Sequence, residues 1–338
     1  MFLRVTSLAG ALVVLAGPTV SLSGEPSADR VALQAKYRRP AEIPFPASNP
    51  YSEAKANLGR MLFFDPLLSG SQLRSCASCH NPALSWGDGQ AKSVGEKPMA
   101  SRAPTLLNVA WTSKPGWIGH FRDLEAVAYG PIVAPGIMNL PEQELNRRLS
   151  AIPGYVAAFD VAFGEGDVTR RKVELALATF QRTIVSTEAP FDRWVNGEES
   201  AISASAKRGF DLFNTKAQCA GCHDDWSFTD ASFHDIGSAK NDDIGRAKLF
   251  PNSVKLRYAF KTPTLRDVAR RAPYMHDGAL ATLEEVIDLY DRGGIDRPSR
   301  SDKIKPLHLS KEEKADLIAF LHTLSGAPET VAIPLMPR

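Results

Sequence analysis

The stretches "CASCH" (residues 76–80) and "CAGCH" (residues 219–223) decide how this chain is read. Both follow the pattern C-x-x-C-H, and together they use all four cysteines. Two thiols at that spacing can form thioethers to the vinyl groups of a haem, and the histidine that follows then ligates the iron from below. A thioredoxin-like redox pair or a four-cysteine zinc site would also pair cysteines this way. Neither requires a histidine after the second cysteine, yet both copies have one, in a chain with only seven histidines. The spacing therefore predicts two covalently bound haems c. Cys76, Cys79, Cys219 and Cys222 would attach them, and His80 and His223 would be proximal ligands.

The residues leading into each motif repeat. "ANLGRMLFFDPLLSGSQLRSCASCH" and "AKRGFDLFNTKAQCAGCH" share Gly59 with Gly209, Leu62 with Leu212 and Phe63 with Phe213. Each reads as an amphipathic helix entering a haem-binding loop, the first copy carrying a seven-residue insertion. Further helices are expected near 168–186, over 282–290 with Thr282 and Glu285 as a capping box, and from Ser310, boxed with Glu313, to a stop at Gly326. Pro and Gly, 24 of each, fall largely between these helices, and no useful strand alternation is present. The expected class is mostly α, with two cytochrome c-type haem domains in tandem.

The N-terminal 24 residues hold one Arg, an apolar run from Leu8 to Ala16 and then small residues. That is a signal-peptide layout, and the run is too short for a membrane span. The expected organisation is a signal peptide over 1–24, an N-terminal cytochrome c domain over 25–195 and a C-terminal cytochrome c domain over 196–338. The mature chain would be periplasmic with no membrane span. A formal net charge of +2 and the lack of a basic stripe give no case for nucleic acid.

With the motifs placed, "CASCHNPALSWGDGQAKSVG", "RAPTLLNVAW", "RDLEAVAYGPI", "FHDIG", "FKTPTLRDVARRAPYMHDGALATLEEVIDLY" and "LIAFLHTLSG" follow in an order that resembles the bacterial di-haem cytochrome c peroxidase family, over about residues 50–326. In ordinary members the C-terminal haem takes a Met as second axial ligand, and peroxide is reduced with electrons from a small redox protein. In the MauG-like branch that ligand is a Tyr. Peroxide there drives the pair of irons to a high-valent state that oxidises side chains of a partner protein by long-range electron transfer. Known directions are the tryptophan-derived cofactor of methylamine dehydrogenase and a tryptophan in a copper-binding partner.

Counting from "PYMHDG" without a gap puts the axial position on Tyr290, so the chain is similar to the MauG-like branch. Residue chemistry alone leaves Met275 and His276 open as ligands. The resemblance also assigns Trp117 to the space between the haems, where an indole can carry a hole in transit. The family's distal Gln and Glu fall on Val127 and Ile137. An acid/base group would then come from Glu96, Glu125 or His120, with Glu96 preferred. Met99, Met138 and His120 could approach the sixth position of the first haem.

Calcium is a further implied ligand, through the carbonyls of Arg271 and Pro273 and an Asn whose place is taken here by Ala103. The implied activity is thus a haem-dependent oxidoreductase acting with hydrogen peroxide on a periplasmic protein substrate. A cytochrome c peroxidase served by a small redox protein is the alternative, and a non-enzymatic electron carrier a third reading.

Overall fold

The computed structural model describes residues 28–337, so the expected signal peptide lies outside the described residues. Ten α-helices are present among the described residues. In order they are α1 Ala28–Ala35, α2 Glu53–Phe64, α3 Leu124–Val133, α4 Glu142–Ser150, α5 Pro153–Phe163, α6 Arg170–Arg182, α7 Pro190–Val195, α8 Ala204–Asn214, α9 Leu283–Asp291 and α10 Lys311–His322. The strands among the described residues are β1 Phe233–His234 and β2 Phe260–Lys261, an antiparallel pair. No helix among the described residues is long and apolar enough to cross a membrane.

Local chemistry sets the helix ends. Ser52, Thr169 and Ser203 each accept a backbone N–H from the first turn of α2, α6 and α8. At α10 the expected box is reciprocal: Ser310 N–H donates to Glu313 Oε2 at 2.7 Å, and Glu313 N–H to Ser310 Oγ at 3.2 Å. At α9, Glu285 N–H donates to Thr282 Oγ1, but the Glu285 carboxylate takes the N–H of Ala281 instead of closing on Thr282.

Two hydrophobic cores result, one per haem motif. In the first, α2 packs on α6; in the second, α8 packs on α10. A Cβ on Gly59 would stand 2.0 Å from the carbonyl oxygen of Ala176, and one on Gly209 would stand 2.0 Å from that of Asp316. The same aromatic triad stands beside each crossing. Phe63, Trp86 and Phe180 have ring centroids 5.2–6.1 Å apart. Phe213, Phe228 and Phe320 repeat this at 5.1–6.0 Å. Trp86 and Phe228 both adopt positive φ, at 60° and 55°, a conformation that bulky residues hold only where packing over-determines it.

Packing groups the chain differently from a cut at residue 195. Phe191 and Trp194 of α7 belong to the second core, as does Tyr37, which stacks on Phe228 at 5.0 Å. In the other direction, Val331 and Met336 pack on the first core. The two ends of the described chain are thus exchanged between the halves.

Candidate haem and electron-transfer site

Each C-x-x-C-H segment folds as one 3₁₀ turn closed by backbone bonds, His80 N–H to Cys76 O and His223 N–H to Cys219 O, both at 2.9 Å. All four cysteines are free, not paired in disulfides. Burial pushes Cys76 and Cys219 up to about 12, so as thiols they stay neutral; as thioethers they would carry no charge in an apolar wall.

The two histidines are held alike. His80 Nδ1 lies 3.2 Å from the carbonyl of Trp86, and His223 Nδ1 lies 2.9 Å from that of Phe228. A carbonyl accepts only, so Nδ1 carries the proton and Nε2 keeps its lone pair for a metal. Burial lowers both imidazole pKa values, which favours the neutral form a ligand needs. The aromatic triads therefore do more than fill the cores, since Trp86 and Phe228 supply the carbonyls that orient these rings.

Both motifs open into one continuous cavity of about 630 Å³. Its wall includes His80, His223, Trp117 and Tyr290. The residues present fit two haems c: paired thiols at each end, a neutral imidazole over each, and a largely apolar space between. Trp117 is anchored to both halves. Its Nε1–H donates to the carbonyl of Arg102 at 2.8 Å, and its own carbonyl accepts the N–H of Lys261 on β2 at 2.8 Å.

Tyr290 lies on the last turn of α9. Its phenol lines the cavity, has no hydrogen-bond partner among the described residues, and lies within electrostatic reach of Cys219 and Cys222. Burial first, then those thiols, raise its pKa above the ordinary tyrosine range. Such a phenol ionises only against a strong local positive charge. His276, by contrast, is occupied: Nε2 lies 2.6 Å from Asp243 Oδ2, and its ring stacks on Phe260 at 3.6 Å. Met275 lines the cavity from a φ of 70°. Tyr274 is buried and donates its hydroxyl to the carbonyl of Val268.

The remaining sequence assignments separate. Val127, Ile137, Met99, Met138 and His120 line the cavity. Glu96 does not: its side chain is exposed and accepts a hydrogen bond from Ser71 Oγ at 2.8 Å, because the loop carrying it turns outward. Glu125 is buried away from the cavity in a two-point ion pair with Arg182, at 2.7 and 3.0 Å. Gln181, a buried cavity-lining amide, was missed. Its signal was a polar residue on the buried stripe of α6, four positions after Leu177.

A family model described as di-haem cytochrome c peroxidase matches residues 53–200, and one described as cytochrome c matches residues 206–325. The methylamine utilization protein MauG of Methylorubrum extorquens is 50% identical over 331 residues, 97% of this chain and 94% of that protein. The chain belongs to the di-haem cytochrome c peroxidase family, in its MauG-like branch. A cytochrome-c peroxidase of Denitromonas iodatirespirans is more distant within the family, 38% identical over 84% of each chain. The crystal structure of a MauG-like protein associated with microbial copper homeostasis superposes with a TM-score of 0.79 at 30% identity, over 85% of this chain and 94% of that one. As a MauG-like member, the chain is a haem-dependent oxidoreductase with two covalently bound c-type haems, on a mostly α fold of tandem haem domains.

Proposed function

We propose that this enzyme uses hydrogen peroxide to withdraw electrons from side chains, tryptophan foremost, of an exported partner protein in methylamine utilisation. Tyr290 carries the reading: a half-buried, unpartnered phenol lining the His223 half of the cavity, where an ordinary peroxidase would place a Met. An anionic oxygen donor favours higher iron oxidation states, whereas a thioether favours the reduced one. The 50% identity to a methylamine utilization protein, against 38% to a cytochrome-c peroxidase, supports the same choice.

In this proposal Cys76 and Cys79 would tether one haem, and Cys219 and Cys222 the other; His80 and His223 would each ligate an iron, and Tyr290 would be a further ligand to the iron held by His223. The haems, when bound, supply the redox-active iron that accepts and stores oxidising equivalents. The chain's residues do the rest. The Trp86 and Phe228 carbonyls hold the imidazoles in the ligating tautomer. Val127 and Ile137 keep the His80 half apolar. Trp117 stands between the halves, its N–H fixed to a neutral carbonyl that cannot take the proton away, so a hole on the indole stays mobile.

His120 lines the cavity, and partial desolvation lowers its pKa, leaving it neutral near pH 7. We assign Glu96 no proton transfer and give that role to the His120 imidazole. Overall, hydrogen peroxide gains two electrons and two protons and leaves as water, the electrons coming from the partner. Export to the periplasm belongs to the same proposal.

Ferric spectra with and without peroxide, on wild type and Tyr290→Phe, together with mass spectrometry of a methylamine dehydrogenase precursor, test this. Peroxide is expected to change both haem signals of the wild type and to add oxidative mass to the precursor, and the substitution to abolish that gain. An unchanged low-spin signal and unchanged precursor oxidation in Tyr290→Phe would remove Tyr290 from the iron and the reading with it.

A further inference from the structure

Two guanidiniums in the wall between the haem motifs have more donors than the protein satisfies. Arg102 is 8% exposed and lines the cavity. Its backbone is fully used, with N–H donating to the carbonyl of His276 and its own carbonyl accepting from Trp117. Its guanidinium makes no hydrogen bond among the described residues. Asp88, the carboxylate whose charge reaches it, is already taken by Ser93 Oγ and the N–H of Gln90. Arg271 approaches from the C-terminal half and lines the same cavity. Its Nη2 donates to the carbonyl of Thr264, while Nε is buried with no partner.

The charge of Arg102 reaches Arg271. Burial lowers the pKa of both; Arg271 falls to about 10, and the charge of Arg102 contributes to that fall. Like charges in a largely apolar wall, with buried donors unsatisfied, are unfavourable unless an anion joins them. A planar fork of donors matches a carboxylate best.

We infer that Arg102 and Arg271 form an anion site for the propionate carboxylates of the bound haems, and that this guanidinium pair, not calcium, supplies the positive charge between the two halves. The inference rests on both haems being attached, and not on the identity of the partner protein.

The donor set does not fit calcium. That ion takes six to eight oxygens. Here the carbonyls of Arg271 and Pro273 are available, but Ala103 offers a methyl group. The one cluster of three metal-type side chains among the described residues is Cys222, Asp230 and His234, which includes neither Arg271, Pro273 nor Ala103. Two guanidiniums alongside would also repel a divalent cation.

The test uses the holoenzyme, with haem content checked first, so that loss of haem is told apart from failure of the arginine site. Elemental analysis of desalted wild type is expected to find calcium well below one per chain. Chelation with EGTA should leave the optical spectrum and both midpoint potentials unchanged. Arg102→Gln and Arg271→Gln are expected to shift the midpoints negative, because losing a nearby positive charge favours the ferric form. Arg102→Lys, which keeps the charge, should stay near wild type and serves as the reading if a Gln variant fails to take up haem. One tightly held calcium per chain whose removal alters the spectrum would overturn the proposal. So would Gln variants with two haems and unmoved midpoints, or a haem-loaded Lys variant whose midpoints depart from wild type.

Discussion

Gly59 and Ala176 meet backbone to backbone, so closely that a Cβ on the glycine would stand 2.0 Å from the alanine's carbonyl oxygen. Gly209 and Asp316 repeat the contact in the other half. The flexible end of a side chain could move aside; a helix backbone cannot. Gly59→Ala and Gly209→Ala should each separate their helix pair, at a cost of about 1–3 kcal/mol for overpacking, partly offset by better helix propensity. Thermal unfolding of the holoenzyme checks this, and an unchanged midpoint would mean that the helices part without loss.

Trp117→Phe keeps an aromatic ring but removes both the N–H bonded to Arg102 and the more easily oxidised indole. Both haems should still attach with unchanged ferric spectra. Oxidation of the partner should slow roughly tenfold or more, about 1.4 kcal/mol of barrier per factor of ten. Wild-type rates in the variant would show that electrons pass by another route.

Arg182→Met leaves the Glu125 carboxylate buried without its cation. Hydrogen bonds from Arg182 and Asn49 lower the pKa of Glu125 although burial alone would raise it. Removing one partner of such a pair costs on the order of 3–5 kcal/mol. Replacing both with apolar residues should recover much of that, which a double-mutant cycle measured by denaturant unfolding would show.

His234 gives a pH signature. Its Nε2 lies 2.7 Å from Asp230 Oδ2, and Asp230 first, with a further contribution from the Cys222 thiol, raises its pKa to about 9. A histidine with a raised folded-state pKa stabilises fully below the unfolded value, near 6.5, and that contribution is lost as pH rises through 9. Unfolding free energy should therefore drop by on the order of 1–2 kcal/mol between those limits. His234→Gln should flatten the profile; an equal drop in the variant would assign the effect elsewhere.

What was legible in the sequence was local. Cys76 to His80 and Cys219 to His223 announce themselves because covalent attachment requires fixed spacing. The Ser310–Glu313 box follows from one helical turn. The repeat was visible through Gly59 and Gly209, whose lack of a side chain is imposed by a helix crossing. Leu62 with Leu212 and Phe63 with Phe213 showed it too, but Trp86 and Phe228 did not, since they differ in type and share only a backbone conformation and a carbonyl. Glu96 illustrates the opposite case. A carboxylate in a loop near the right motif looked available, but which way a loop turns is decided by contacts far along the chain. Arg102 and Gln181 were passed over because a polar residue betrays itself only once the surface it faces is known.

The exchanged ends bear on how the halves are joined. Tyr37 precedes the first haem loop in sequence yet is buried beside the second, and Met336 follows both loops yet packs against the first core. Neither half of a chain divided at residue 195 would contain its own whole core. The segment around Tyr37 and the segment around Val331 and Met336 thus act as two straps, each tying one half to a part of the chain distant in sequence.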